Sequence, residues 1–182
     1  MSPLLHVYVY REGLLARLGH DLRLVVPRFE IALAGDRVTA RFDVPSVRVD
    51  GAAEGDTIKV NALSEADKVG IRAKIQEEVL HADRWPEVTL EGTLVPHAEH
   101  PVVRARVTIM GRTEVEELPV SRIAGVLRVN TVMTPSRWGI KPYKVLAGAI
   151  RLQDRWRVQL YLPWEGPLAG LAGAERTWKG VG

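Results

Sequence analysis

Apolar and polar residues alternate along most of this chain, and that period of two restricts its fold more than any other feature. Leu5, Val7 and Val9 oppose His6, Tyr8 and Tyr10, and Val38, Ala40, Phe42 and Val44 alternate with Thr39, Arg41 and Asp43. Val103, Ala105, Val107 and Ile109 alternate with Arg104, Arg106 and Thr108, and Trp156, Val158, Leu160 and Leu162 with Arg157, Gln159 and Tyr161. Successive side chains of a strand point to opposite faces, so each run describes a strand with one dry and one wet face, as in antiparallel sheets. About ten such runs, short and regularly spaced, predict an all-β barrel or sandwich.

Turn chemistry separates the runs. Ala34-Gly35-Asp36 and Met110-Gly111-Arg112 join alternating segments at hairpin spacing. Pro27 interrupts a long extended stretch from Asp21 to Leu33, where the missing ladder donor predicts a bend, a bulge or an edge. Gln153-Asp154 reads as a tight turn before the last strand. One segment has a different period. From Ser64 to His81, Ile71, Ile75 and Val79 recur at four-residue steps, which predicts an amphipathic helix. Ser64 is its expected cap, and Glu65 and Asp67 suit the positive helix end. Gly70 weakens it by about 1 kcal/mol relative to alanine, so packing must hold it. Pro86 then turns the chain into a strand. A helix set among strands would plug a barrel end. Residues 1–163 form the expected barrel domain. The tail, 164–182, is rich in glycine and alanine, with Leu168, Leu171 and Trp178 as its large apolar anchors; it is expected to be partly disordered or to pack as a short helix.

At 182 residues the chain suits one domain with a sizeable core, or one barrel around a cavity. A net charge of +3 is too small to indicate an anionic partner. The absence of cysteine removes disulfides and thiolate metal sites. His6 and Arg11-Glu12 interrupt the first apolar stretch and no basic region precedes it, so no signal peptide is read there and a cytoplasmic protein is expected. No run approaches the roughly 20 apolar residues of a membrane helix.

Three constellations offer chemistry. His20-Asp21 is an acid–base candidate, but neighbours on a strand face opposite ways, which favours a buried or half-buried histidine bonded to backbone near a barrel end. His97 and His100 have the spacing of a zinc or nickel pair, yet they sit on a polar hairpin tip without a further ligand nearby, so a solvated turn is the expectation. Arg104 with Arg106, and Arg155 with Arg157, make basic faces. Nucleic-acid modules interleave such residues with rings, and here Trp156 points to the other face, so no nucleic acid is expected. No nucleophile elbow, P-loop or dinucleotide fingerprint occurs.

Four short motifs, taken together, carry a resemblance. Gly13-Leu-Leu-Ala-Arg-Leu-Gly-His-Asp21, Trp85-Pro86-Glu87-Val88-Thr89-Leu90, Val107-Thr-Ile-Met-Gly-Arg-Thr113 and Trp138-Gly139-Ile140 occur in the order and spacing of the YceI-like proteins. These are lipocalin-like barrels that bind polyisoprenoid lipids. The chain resembles that family from about Leu4 to Leu162, with Gly13 to Asp21 a variant of its usual opening.

The resemblance implies an antiparallel eight-stranded barrel whose interior holds a long isoprenoid chain, with the helix near one end. Each buried methylene contributes roughly 0.8 kcal/mol, so a polyprenyl tail needs apolar walls and few polar contacts. The walls it implies are Leu22, Leu24, Phe29, Ile31, Phe42, Ile75, Val79, Trp85, Leu90, Val107, Ile109, Trp138 and Ile140. His20, Arg137 and Tyr143 would meet a head group at the opening. The partner is then a hydrophobic small molecule, with no catalytic residue, required cofactor or metal, and a homodimer by family analogy. Two rivals remain at this stage: a barrel enzyme acting on a lipid or quinone-like substrate through His20, and a packed barrel serving as an interaction module. Alternation alone does not separate a hollow barrel from a filled one.

Overall fold

The computed structural model describes residues 1–13, 19–97 and 100–181. Its strands are β1 (Leu4–Glu12), β2 (Asp21–Val25), β3 (Phe29–Gly35), β4 (Arg37–Asp43), β5 (Arg48–Glu54) and β6 (Thr57–Lys59). After the helix α1 (Glu65–Lys74) follow β7 (Glu87–Val95), β8 (Val102–Ile109), β9 (Arg112–Ile123) and β10 (Val126–Met133). The chain ends with β11 (Lys144–Val145), β12 (Ile150–Pro163) and β13 (Ala174–Lys179). All belong to one curled antiparallel sheet of thirteen strands, ordered β13-β3-β4-β7-β8-β9-β10-β12-β1-β2-β5-β6, with β11 on β12. The expected number was eight. Short accessory strands, which alternation cannot reveal at two or three residues, account for part of the excess, and Pro27 for another part.

Pro27 divides one extended run in two. Before it, the Val26 amide donates to the Leu5 carbonyl beside β1; after it, the Asp43 amide donates to the Arg28 carbonyl beside β4. The same run therefore changes neighbours at the proline, which is how the sheet turns back on itself. Because β2 and β3 run from Asp21 to Gly35, the sheet has two ends. One carries the β3–β4 hairpin and the β9–β10 turn; the other carries α1 and the end of β1.

The hairpin signals hold. Ile109 faces Arg112 across a two-residue turn in which Met110 and Gly111 have φ of 50° and 74°, the left-handed pair that suits strand twist. A Cβ on Gly111 would lie 2.6 Å from the Trp85 ring, so glycine also makes room for that indole. Gln153-Asp154 is not a turn. β12 runs through it, and the pairing steps from Val9–Trp156 to Arg11–Leu152, so the strand bulges there instead. Both polar side chains serve neighbouring segments: Gln153 donates to the Arg11 carbonyl at 3.2 Å and Asp154 accepts from the Ser136 amide at 2.9 Å.

The helix begins where its cap is. Ser64 Oγ accepts from the Asp67 amide at 3.1 Å and Asp67 Oδ2 accepts from the Ser64 amide at 2.9 Å, a reciprocal capping box. The Ser64 hydroxyl, which donates to Oδ2 at 2.7 Å, and then the Ser64 amide hold the Asp67 carboxyl below its usual range. The helix continues as a π-helical turn over Ile75–Val79. Of the two expectations for the tail, the short helix is met only by a 3-10 turn, and a strand follows it. A 3-10 turn at Leu168–Leu171 leads into β13, which pairs with the free edge of β3 from Ala174–Gly35 to Lys179–Glu30. No helix among the described residues is long and apolar enough to cross a membrane.

Candidate functional site: an apolar cavity inside the sheet

The inward side of each alternating strand faces a cavity of about 540 Å³. Leu5, Val7 and Val9 of β1 and Val158, Leu160 and Leu162 of β12 line it from adjacent strands, as the register Val7–Val158 requires. Several of these side chains are only half-buried although they point inward, because the surface they present is the cavity wall. The helix contributes Ile71, Ile75 and Val79, the apolar stripe of its sequence. The volume lies within the 300–1,000 Å³ usual for small-molecule pockets.

The two ends of the cavity differ in chemistry. At the hairpin end the lining is apolar throughout: Leu33 and Leu94, Leu118 and Val120, then Leu171 and Trp178 from the tail. Trp178 is 4% exposed; its indole N–H donates to the Pro163 carbonyl at 2.9 Å, and its ring packs 6.3 Å from that of Trp164. At the helix end the lining includes Arg11, His20, Lys74, Tyr143 and Arg151. The Tyr143 hydroxyl is held above its usual pKa by desolvation and by the Glu78 carboxylate near it.

Of the residues singled out in the sequence, Leu22, Leu24, Ile31, Phe42, Ile75, Val79, Leu90, Val107 and Ile109 line this cavity, and so do His20 and Tyr143. Phe29, Trp85, Trp138, Ile140 and Arg137 do not. Phe29 shares the inward parity of Ile31, but Gly180 crosses over it: the Gly180 amide donates to the Phe29 carbonyl at 2.9 Å, and a Cβ there would lie 2.6 Å from the ring. Trp85 covers the Met110–Gly111 turn. Trp138, 1% exposed, donates its indole N–H to the Val107 carbonyl at 2.9 Å from a 3-10 turn that fills the split where β9 leaves β10. Ile140 is buried just beyond that turn. Arg137 is not at the opening; its guanidinium is engaged by Glu116, by Glu114 at 3.1 Å and by the Val115 carbonyl at 3.0 Å.

No family model matches the chain, and no curated protein matches it in sequence. Solved structures share its architecture. BcnA of Burkholderia cenocepacia is similar with a TM-score of 0.59 at 12% identity, covering 87% of this chain and 94% of that one. A polyisoprenoid binding domain from Saccharophagus degradans, implicated in plant cell wall breakdown, gives 0.50 at 9% identity, covering 88% and 94%. The YceI protein of Campylobacter jejuni, at 11% identity, covers 71% of this chain and 73% of its own with a TM-score of 0.42. In fold the chain is similar to BcnA and to that polyisoprenoid binding domain. At these identities what is shared is the course of the backbone.

Within this fold the other sequence candidates are dispersed. Asp21 does not orient His20: its Oδ1 accepts from the Arg11 amide at 2.9 Å, and the imidazole is exposed. The rings of His97 and His100 stack 6.3 Å apart, and the described residues contain no group of three or more metal-ligating side chains. Ala98 and Glu99 between them, like Leu14 to Leu18 before His20, lie outside the described residues. Arg104 pairs with Glu117 at 2.9 Å. Arg155 and Arg157 do meet rings, contrary to the reading from their own strand. Register places Tyr8 opposite Arg157, with the guanidinium 4.4 Å from the ring centre, and Arg155 lies 5.0 Å from the Tyr10 ring. Tyr8 is only 2% exposed beneath its arginine, which leaves its ring face closed to a stacking base.

Sequence reasoning assigned faces to β1 and β12 but did not name their inward residues, or those of the tail, as wall. The alternation of β12 was visible and would have indicated Val158, Leu160 and Leu162. Nothing local distinguishes Leu171 or Trp178 as lining, since their place depends on β13 reaching the edge of β3.

Proposed function

We propose that the protein binds or carries an isoprenoid or similar long-chain lipid in this cavity, without catalysing a reaction and without needing a cofactor or metal. The observation that carries the reading is a continuous cavity walled by aliphatic side chains over most of its length. If β2 and β3 are counted as one strand bent at Pro27, eight ladder positions surround it: β2/β3, β4, β7, β8, β9, β10, β12 and β1. A barrel of eight strands has room for one small or thin ligand. Leu22, Leu24, Ile31, Phe42, Leu90, Val107 and Ile109, with Ile75 and Val79 of the helix, act as the wall. Each methylene a ligand brings into such a wall contributes roughly 0.8 kcal/mol, so a tail is held without directional contacts. The name of the Saccharophagus degradans domain, a polyisoprenoid binding domain, agrees with this reading.

The test is extraction of freshly purified protein with organic solvent, followed by mass spectrometry, together with uptake of an apolar fluorescent probe by the delipidated protein. A stoichiometric long-chain lipid, or saturable uptake that the lipid displaces, is the expected result. Empty extracts combined with no uptake would end the carrier reading.

A further inference from the structure

The polarity of the cavity runs along its length, and its charged groups are unevenly matched. At the hairpin end the wall is apolar up to Leu171 and Trp178. A tail belongs there and a head group belongs at the helix end. Among the described residues, the ionised side chains that line the cavity are Arg11, Asp43, Lys74 and Arg151. Two of them are already paired. Asp43 accepts two bonds from Arg28, at 2.9 and 2.6 Å, and Arg151 lies 2.6 Å from Glu12.

The other two are cations with weak or no partners. Among the described residues Lys74 has no carboxylate within 4.0 Å. The Arg11 guanidinium stands 3.9 Å from Asp21, whose Oδ1 is taken at 2.9 Å by the Arg11 backbone amide. The one carboxylate among the described lining residues, Asp43, is thus engaged, whereas two cations and the exposed His20 line the same end.

Resting on the carrier reading above, we propose that the ligand is a single-chain amphiphile with an anionic head group, a carboxylate or a phosphate, held at the helix end by Lys74 and Arg11 with His20 at the rim. A neutral head would leave both cations to water. An anionic one gains charge-assisted bonds to both cations at the rim of the apolar wall.

Displacement of an apolar fluorescent probe by matched pairs tests this: farnesyl monophosphate against farnesol, and palmitate against hexadecanol. Each pair holds the tail constant and changes the head, and the two pairs separate phosphate from carboxylate. At least one anion is expected to displace the probe at about tenfold lower concentration than its alcohol, the equivalent of one charge-assisted bond. Lys74→Gln combined with Arg11→Gln should close most of that gap. Arg104→Gln, which removes a charge from the outer face of β8, should leave it intact and so exclude an effect of net charge. Lys74 is exposed on α1, and the single variant Lys74→Gln should narrow the gap without threatening the fold. Equal displacement by anion and alcohol, or a gap that survives the double variant, overturns the inference while leaving the carrier reading in place. A probe that never enters overturns both.

Discussion

The two faces of the β1–β12 pair are built on opposite plans. Inward, Val7 and Val158 stand side by side and face a cavity. Outward, Tyr8 and Arg157 stand side by side one residue further on, and there the packing is dense. Tyr8 is 2% exposed, Gln159 is 8% exposed, Arg157 reaches Asp56, Arg23 donates to Asp50 at 2.6 Å, and the Tyr161 hydroxyl donates to Gln159 at 3.0 Å. In an ordinary sheet the apolar face is close-packed and the polar face is hydrated. Here the polar face is covered by its own long side chains, while the apolar face keeps room for a guest. The contrast puts the dense packing of this part of the sheet on its outer face and the open space on its inner one.

The largest effect expected from this comparison is on stability. Tyr8→Ala should cost about 3 kcal/mol, as for other large buried side chains, whereas Val158→Ala should cost less than about 1 kcal/mol because the space beside it already exists. Denaturant midpoints of the two variants measure this, and equal losses would erase the distinction between the faces. A second substitution adds bulk instead of removing it. Val7→Trp should weaken uptake of an apolar probe at least tenfold yet leave stability within about 1 kcal/mol of the native chain, where a filled core would lose about 1–3. A large loss of stability with probe uptake intact would mean that the wall is a packed core.

The smallest effect is one of pH and belongs to the outer face. Burial, with the Arg23 guanidinium nearby, holds the His6 imidazole below its usual value of 6.5, against a smaller pull from Asp50. Tyr8 and Tyr161 pack around it. Because the folded value is depressed, the unfolded chain takes up the proton first as pH falls. The neutral imidazole therefore supports the fold above pH 6.5, and that support declines as pH drops below 6.5 toward the folded value. His6→Gln should flatten this part of the stability–pH curve. An unchanged slope in the variant would place the dependence elsewhere.

Much of this arrangement was legible in the chain itself. Alternation assigned the inward residues of β1, β4, β8 and β12 because a strand offers only two faces, and the four-residue step of Ile71, Ile75 and Val79 assigned the helix face for the equivalent reason. Ser64 and Asp67 marked the helix start, and Met110-Gly111 marked a hairpin, because each motif satisfies its own backbone locally. Large aromatic residues were less legible. Trp85, Trp138 and Phe29 have the size and hydrophobicity of wall residues, but a turn, a split between strands and a crossing glycine hold them elsewhere.

The sequence by itself determined an all-β chain with one apolar and one polar side to each strand, since that follows from the period of two and from turns of a few residues. Only the tertiary structure decided that the apolar sides enclose about 540 Å³, that Tyr8 and Arg157 seal the outer wall from different strands, and that the tail's Leu171 and Trp178 form the apolar end. Those outcomes depend on strand register, on the bend at Pro27 and on contacts between residues more than a hundred positions apart, such as the Tyr8–Arg157 pair. A local pattern fixes which way a side chain points; what it meets there is set by the rest of the chain.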